Sequence, residues 1–497
     1  MSISNPQQHR RQTSSRRPWR RLAALALAVP LVVTCARAPA TGERIFTGGM
    51  SMDQEREIGA EQHPQLVEAF GGEYTESGID SYVQDIGDSL AAESELPNLD
   101  WTFTVLDTPN VNAFALPGGY VYVTRGLVTL ASDEAELAGV IGHEIGHVTA
   151  RHSAERYGGS ILANVAGMAS AIFLGGDAAR MTSSLGQMAL ASYSRSQEFQ
   201  ADTLGVRYLG LGGYDPEAMA SFLDKLQANT VLQATLRGNP EAADQFNIMQ
   251  THPRTPDRVR AAIAEAGQRL EQGTRAQDRF LQTVDGMRYG DSPKEGFVRG
   301  RDFLHPTLRF AFKVPEGFTL FNASNQVTAF GPDDAVIVFD RAKDPNTRDP
   351  LTYLRRQWAS NASLRNAERI EVNGMEAATA RTQGRLQQGT RNFRLVAIRY
   401  GGDTIYRLMF VTKPNATSRF AEDFRRTTHS FRRLSAEEAD GLEPLRLRLH
   451  TVRQGETMDS LAARMAYEDH KVLRFRTING LDEGETLQPG QRVKLVR

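Results

Sequence analysis

Apolar and polar positions recur with more than one period along this chain, and the places where the period changes mark its parts. Residues 53–96 carry apolar side chains at helical spacing, around Ile58, Leu66 and Val67 and then Ile79, Val83, Ile86 and Leu90, with Gly71-Gly72 as the break between two helices. Trp101 to Leu106 and Tyr120 to Thr124 alternate instead and are rich in β-branched and aromatic residues, which predicts strands. A short strand at Val111–Phe114 is expected to turn into the latter through Pro117-Gly118-Gly119. From Asp133 the helical period returns in DEAELAGVIGHEIGHVTARH, where Asp133 with Glu136 three residues on makes a plausible cap and Leu137, Ile141 and Ile145 share related faces. Further helices are expected over Ser194–Leu209, after Asp215-Pro216-Glu217, and over residues 256–272.

The texture changes near Gly273. Short strands are expected at Leu308–Val314, Thr319–Phe321, Val327–Phe330, Ala335–Phe339, Ile370–Val372, Phe393–Tyr400 and Thr404–Val411, with amphipathic helices at Pro350–Ala359 and Ser418–Leu434. This is an α+β pattern with no reactive cluster. A third, smaller unit starts near Leu447. The expected organisation is an export segment over 1–35, a mainly helical domain with a small sheet over 48–275, an α+β accessory domain over 300–440 and a βααβ unit over 447–497, so the chain as a whole is α+β.

The first 21 residues hold six arginines and no acid, and the twelve-residue apolar run Leu22–Val33 follows. A positive segment before an apolar run of this length reads as an export signal, short for a permanent anchor. Ser15-Arg16-Arg17-Pro18-Trp19 resembles a twin-arginine signal, with tryptophan where that pattern favours phenylalanine, so either export route stays open. Val32-Val33-Thr34-Cys35 resembles a lipobox, which makes Cys35 a candidate for acylation; cleavage around Ala38 to Ala40 without an anchor is the alternative. Residues 161–174 are almost wholly apolar, but fourteen residues reach about 21 Å as a helix, short of a hydrocarbon layer of roughly 30 Å. A buried helix or hydrophobic lid is the preferred reading.

Composition narrows the chemistry. With 497 residues, 40% hydrophobic and 24% charged, the chain is neither disordered nor of one ordinary domain's size. The formal net charge of −1 argues against a basic nucleic-acid binder. Cys35 is the single cysteine, which excludes an intrachain disulfide framework and a cysteine-based zinc site, so any metal must be held by His and carboxylate.

His143-Glu144-Ile145-Gly146-His147 supplies such ligands. Residues four apart on a helix project from one face, so both imidazoles can meet one metal while Glu144 reaches the water beside it. Zinc suits neutral nitrogen ligands, lowers the pKa of bound water and polarises a scissile carbonyl, and the carboxylate relays the proton. His152 is a tempting third ligand, but the pattern that uses a downstream histidine places it one residue further on, where Ser153 stands. In SRSQEFQADTLG, Glu198 and Asp202 lie one helical turn apart. Glu198 can complete a two-His-one-carboxylate site while Asp202 hydrogen-bonds the outer nitrogen of a ligand histidine; the plain alternative is two exposed acids on an amphipathic helix.

These blocks, together with Asn112-Ala113-Phe114-Ala115-Leu116-Pro117-Gly118-Gly119 and Thr251-His252-Pro253, resemble the M48 family of zinc metallopeptidases, in particular its exported bacterial branch concerned with outer-membrane quality control. The resemblance spans residues 48–272. It implies one Zn(2+) per chain held by His143, His147 and Glu198, Glu144 as general base, and Asp202 behind a ligand. It also implies a gluzincin-type fold whose sheet edge, at Asn112, Ala113, Phe114 and Ala115, binds extended substrate backbone. In some exported relatives a histidine matching His252 reaches the zinc and holds the enzyme latent. His252 is otherwise a loop residue stabilised by Asp257 or a donor to substrate, and Arg258 supports the same loop or a transition-state oxygen. No 34-residue helical period follows residue 275, so recruitment of partners through tetratricopeptide repeats does not carry over.

The last unit, through Thr451-Val452-Arg453-Gln454-Gly455-Glu456-Thr457, Thr477-Ile478-Asn479-Gly480-Leu481 and Leu487-Gln488-Pro489-Gly490-Gln491, resembles a LysM domain, with His450 where an aromatic residue is usual. The expected function is zinc-dependent endoproteolysis of misfolded or misassembled cell-envelope proteins. The rivals are a proteolytically latent chaperone or assembly factor and a peptidoglycan-associated binding protein. Expected partners are unfolded envelope proteins, outer-membrane assembly machinery and peptidoglycan through the tail, with no nucleic acid. The expected location is the periplasm, anchored to the outer membrane as a lipoprotein or soluble.

Overall fold

The computed structural model describes residues 35–47, 49–156, 193–236, 260, 263–264, 273–323, 326–386 and 389–497. The described chain opens on a small antiparallel hairpin of β1 (Cys35–Arg37) and β2 (Arg44–Phe46). Helix α1 (Met52–Ala69) starts from a capping box in which Ser51 and Gln54 satisfy each other's backbone N–H groups. Helix α2 (Ile79–Ala92) buries Ile79, Val83, Ile86 and Leu90, the face that the periodicity predicts.

A three-stranded sheet follows, formed by β3 (Thr102–Leu106), β4 (Ala113–Leu116) and β5 (Tyr120–Thr124) in the order β3-β5-β4. Strand β3 runs parallel to β5 and β4 antiparallel to it, so β4 is an edge. The expected strand at Val111–Phe114 is thus displaced to Ala113–Leu116. Asn112 instead closes the ladder, its N–H donating to Thr124 Oγ1 at 2.9 Å and its carbonyl accepting from Thr124 N at 3.0 Å. Gly118 turns the hairpin at φ +86°, and a Cβ there would stand 2.6 Å from the Arg56 Cα, so both conformation and space require glycine.

Helices α3 (Arg125–Leu130) and α4 (Glu134–Thr149) come next. Every residue of α4 is buried, and its N-cap is Asp133, which accepts from the Glu136 N–H at 2.8 Å. The Glu136 carboxylate does not return to Asp133 as a simple capping box predicts; it accepts from Ser132 N at 2.7 Å and from Lys225 Nζ at 2.7 Å. Glu134, equally buried, accepts from the hydroxyls of Tyr82 at 2.5 Å and Tyr214 at 2.7 Å. Helices α5 (Arg195–Leu211) and α6 (Glu217–Leu236) pack against α4, and α7 (Gln277–Val284) ends this part.

The accessory part holds two antiparallel sheets. Strands β6 (Phe297–Arg299), β7 (Asp302–His305) and β8 (Phe310–Lys313) form one. Strands β9 (Thr319–Ala323), β10 (Gln326–Phe330), β11 (Val336–Arg341), β12 (Arg365–Val372), β13 (Met375–Leu386), β14 (Gly389–Gly401) and β15 (Thr404–Thr412) form the other, in the order β12-β13-β14-β15-β11-β10-β9. Helix α8 (Ala421–Ser430) leads into β16 (Arg432–Arg433), which pairs with β8. The helix expected over Ser418–Leu434 therefore stops at Ser430, because fully buried Phe431 turns extended to enter an aromatic core with Phe310, Phe339 and Tyr406. The helix expected over Pro350–Ala359 is a single turn, Pro350–Tyr353, followed by a π-turn over Leu354–Trp358.

The final unit runs β17 (Leu447–Thr451), α9 (Met458–Ala462), α10 (Lys471–Asn479) and β18 (Arg492–Val496), with the two strands antiparallel. It does not stand apart. Leu447, Leu461, Phe475, Ile478, Leu495 and Val496 belong to the same buried cluster as Val83, Leu137 and Ile141 of the helical part. The Lys494 ammonium donates to the carbonyls of Thr129, Leu130 and Ala131 at 2.9, 3.1 and 2.6 Å, capping the C-terminal end of α3. Among the described residues no helix is long and apolar enough to cross a membrane.

Candidate metal centre

The site is built where α4 crosses α5 at very close range. Gly142 and Gly146 of α4 face Ala201 and Gly205 of α5: a Cβ on Gly205 would lie 3.0 Å from the His143 N, and one on Gly146 would lie 3.1 Å from the Ala201 carbonyl oxygen. Small residues let the two backbones approach, and the approach brings Glu198 and Asp202 of α5 under His143 and His147 of α4. Ser194 holds the start of α5 by a capping box with Gln197, one residue before Glu198.

His143, His147 and Glu198 each aim one donor atom at a common point, all within 4.8 Å of one another, and all three are fully buried. The two Nε2 atoms are 2.9 Å apart; Glu198 Oε2 is 3.7 Å from the first and Oε1 3.5 Å from the second. Four-coordinate zinc, with bonds of roughly 2.0–2.1 Å, separates its ligand atoms by roughly 3.3 Å, so these spacings fit. The donor set fits as well. Glu144, Glu198 and Asp202 are all fully buried, and carboxylates removed from water at this density call for a cation among them.

The outer edge of each imidazole also has a partner. His143 Nδ1 lies 3.0 Å from Asp202 Oδ1, as expected for a carboxylate holding a ligand histidine. His147 Nδ1 lies 2.8 Å from His152 Nδ1, and the His147 ring is stacked on Tyr193 at 3.8 Å between centroids. Arg156 covers Tyr193 with its guanidinium 3.7 Å from the ring centroid. Burial holds the His152 imidazole below the ordinary histidine range, against its hydrogen bond to Gln200 Oε1 and the nearby carboxylates of Glu155 and Glu198.

Sequence reasoning brings five of these residues to the site: His143, Glu144, His147, Glu198 and Asp202. It misses His152 and Gln200. The signals were present, a histidine five residues after His147 and a glutamine between the two acids of α5, but the only role weighed for His152 was that of a ligand. Asn112, Ala113, Phe114 and Ala115 lie on or beside β4, the sheet edge that packs against α4. The Cys35 backbone begins β1. His252, Arg258 and the apolar run 161–174 lie outside the described residues, as does the export segment before Cys35.

Residues 79–266 match the model of Peptidase family M48. The chain is 28% identical over 250 residues to the beta-barrel assembly-enhancing protease of Yersinia pestis, covering 47% of this chain and 48% of that protein. It is 29% identical over 200 residues to the Escherichia coli protein of the same name, covering 38% and 39%. To the mitochondrial metalloendopeptidase OMA1 of Schizosaccharomyces pombe it is 26% identical over 229 residues, covering 45% and 64%. The chain thus spans less than half the length of these bacterial relatives and under two thirds of the yeast one. A likeness to the solution structure of cyanobacterial PsbP from Synechocystis, 13% identical over 30% of this chain and 93% of that one, has a TM-score of 0.22 and carries no argument. Family match and donor set meet on the same residues: the segment 79–266 that matches Peptidase family M48 contains the buried His143-His147-Glu198 cluster, a donor set suited to one zinc ion.

Proposed function

We propose that this chain is a zinc endopeptidase that cleaves misfolded or misassembled proteins of the bacterial cell envelope. The observation that carries the reading is the buried His143-His147-Glu198 set with Glu144 on the same helix as both histidines. The names of the bacterial relatives, beta-barrel assembly-enhancing proteases, support the envelope as the place and assembling outer-membrane proteins as substrates.

Zinc, when bound, supplies the positive charge that makes water acidic and polarises a peptide carbonyl. The protein does the rest. His143 and His147 present unprotonated Nε2 atoms, and Asp202 keeps the His143 proton on Nδ1. Glu144 takes the proton of the attacking water and delivers it to the departing amide nitrogen. The free edge of β4 aligns an extended substrate through backbone hydrogen bonds, which read no side chains and so accept many unfolded sequences. An acyl group on Cys35 holds the enzyme at the outer membrane, and His252 restrains the site.

The test is hydrolysis of an unfolded polypeptide by the zinc-loaded chain. Glu144→Gln should keep zinc and fold while lowering kcat by roughly 10²–10⁴-fold. Equal turnover by parent and variant would remove the proteolytic reading and leave an assembly or binding role.

A further inference from the structure

The proton arrangement behind His147 is fixed by a chain of contacts that ends outside the catalytic helices. His147 must leave Nε2 unprotonated to act as a ligand, so its one proton sits on Nδ1. That Nδ1 faces His152 Nδ1 at 2.8 Å, which must therefore accept, and the His152 proton is placed on Nε2. His152 Nε2 faces Gln200 Oε1 at 3.0 Å, an acceptor. The amide nitrogen of Gln200 in turn donates to Glu43 Oε2 at 2.8 Å. Each step admits one direction only. Reversing the Gln200 amide would set its oxygen against the Glu43 carboxylate and its N–H group against the His152 N–H, so the carboxylate at the far end determines the tautomers of both imidazoles.

Glu43 belongs to the turn of the β1–β2 hairpin, and the hairpin is itself fastened to the catalytic helix. Ala40 N donates to the carbonyl of Thr149, the last residue of α4, at 3.2 Å, and Ala38 is buried. Arg151, two residues beyond α4, pairs with buried Glu55 and donates to the Met50 carbonyl at 2.8 Å. Tyr193, stacked face to face on His147, blocks tilting of the ring out of its plane and leaves only the in-plane orientation for the relay to set.

We propose that His152 and Gln200 are positioning residues: with Glu43 they form a hydrogen-bond relay that keeps the His147 proton on Nδ1 and its Nε2 aimed at the metal. His152 is then neither a ligand nor a filler of the core. It lies on the side of His147 away from Glu198 and acts through that ring. The inference rests on the zinc reading above, and the experiment separates the two.

Zinc affinity of the full chain is measured by competition with a chelator of known affinity, for the parent and for His152→Ala, His152→Asn and Gln200→Leu, alongside circular dichroism and steady-state kinetics. Partners of this kind contribute roughly 10–100-fold in metal affinity. His152→Ala and Gln200→Leu should lose that much zinc affinity with unchanged dichroism and a lower kcat at near-constant KM. His152→Asn should recover most of it, because the asparagine oxygen reaches the position of the histidine Nδ1. If His152→Ala does not fold, Gln200→Leu, at a partly exposed position, decides alone. Zinc affinities within twofold of the parent, or no recovery in His152→Asn, would overturn the relay alone. A parent chain that binds no zinc would overturn the metalloprotease reading and the relay with it.

Discussion

The two ligand histidines are backed in chemically different ways. His143 leans on a carboxylate, Asp202, whereas His147 leans on a neutral imidazole that passes its own proton outward. A carboxylate partner raises ligand basicity more than a neutral acceptor does, so a metal held here would meet two nitrogen donors of unequal basicity. A second residue whose ionisation matters lies away from the site. Burial, then the neighbouring carboxylates of Asp291 and Asp107, push the Glu295 carboxyl up from 4.5 to about 7. The folded chain then holds this proton more tightly than the unfolded chain does. Its stabilising contribution is complete below pH 4.5 and is lost as the pH rises through 7. Glu295→Gln should therefore leave thermal stability near pH 4.5 little changed and raise it at pH 8, by on the order of 1 kcal/mol after allowance for partial exposure. Equal melting temperatures of parent and variant at pH 8 would contradict the shift. Residue by residue, His143, Glu144 and His147 were legible because helical spacing alone places two imidazoles on one face. Glu198 and Asp202 were legible as a pair one turn apart. His152 was not, because its role depends on which edge of a neighbouring ring it meets, and spacing carries no ring orientation.

At the scale of elements, the crossing of α4 and α5 sets the metal site. The helices meet through Gly142, Gly146, Ala201 and Gly205, and a single methyl at Gly205 would come within 3.0 Å of the His143 backbone nitrogen and 3.1 Å of its Cα. Neither backbone can yield without moving a ligand. Gly205→Ala is expected to cost about 1–3 kcal/mol of stability and, by carrying Glu198 away from the histidines, to lower zinc occupancy. Elemental analysis after gel filtration measures the second effect, and full occupancy would show that α5 can shift without disturbing the site. The same elements were readable in advance because their caps and periods agree: Asp133 and Ser194 start helices where the polar pattern places them. Strand β13 was not, because MEAATARTQGRL has four alanine and glycine positions and little β-branched character. Pairing on both sides with β12 and β14 makes it a strand where local preference does not.

Across the whole molecule, the three parts are joined by buried groups that belong to none of them alone. Arg125, fully buried, donates to Asp107 at 2.9 Å and to the carbonyls of Arg288 and Gly290 at 3.1 and 2.8 Å, tying the small sheet to the segment that leads into the accessory part. Arg288 continues the network to Asp107 and Glu76, and Arg446 reaches Glu76 from the edge of the last unit. Because Leu495 lies in the core cluster shared with α4, Leu495→Ala should cost about 2–5 kcal/mol and lower the temperature at which the chain releases zinc. Zinc release at the parent's temperature would mean that the last unit melts by itself. Sequence patterning showed the βααβ order of this unit but not its docking. Local periodicity reports which residues face inward and is silent on which distant residues they face.

The shared core has a consequence for the order of events during synthesis. Leu461, Phe475, Ile478, Leu495 and Val496 fill the same cluster as Leu137 and Ile141 of the metal-binding helix, more than 300 residues earlier in the chain. Contacts that distant close late, because the loop entropy of bringing them together opposes folding until the last partner is present. A nascent chain that has passed residue 147 already carries both histidines of the site, yet the residues of β18 that share their core are still to come. Residues made more than 300 positions after the two histidines thus complete the core around the helix that holds the site.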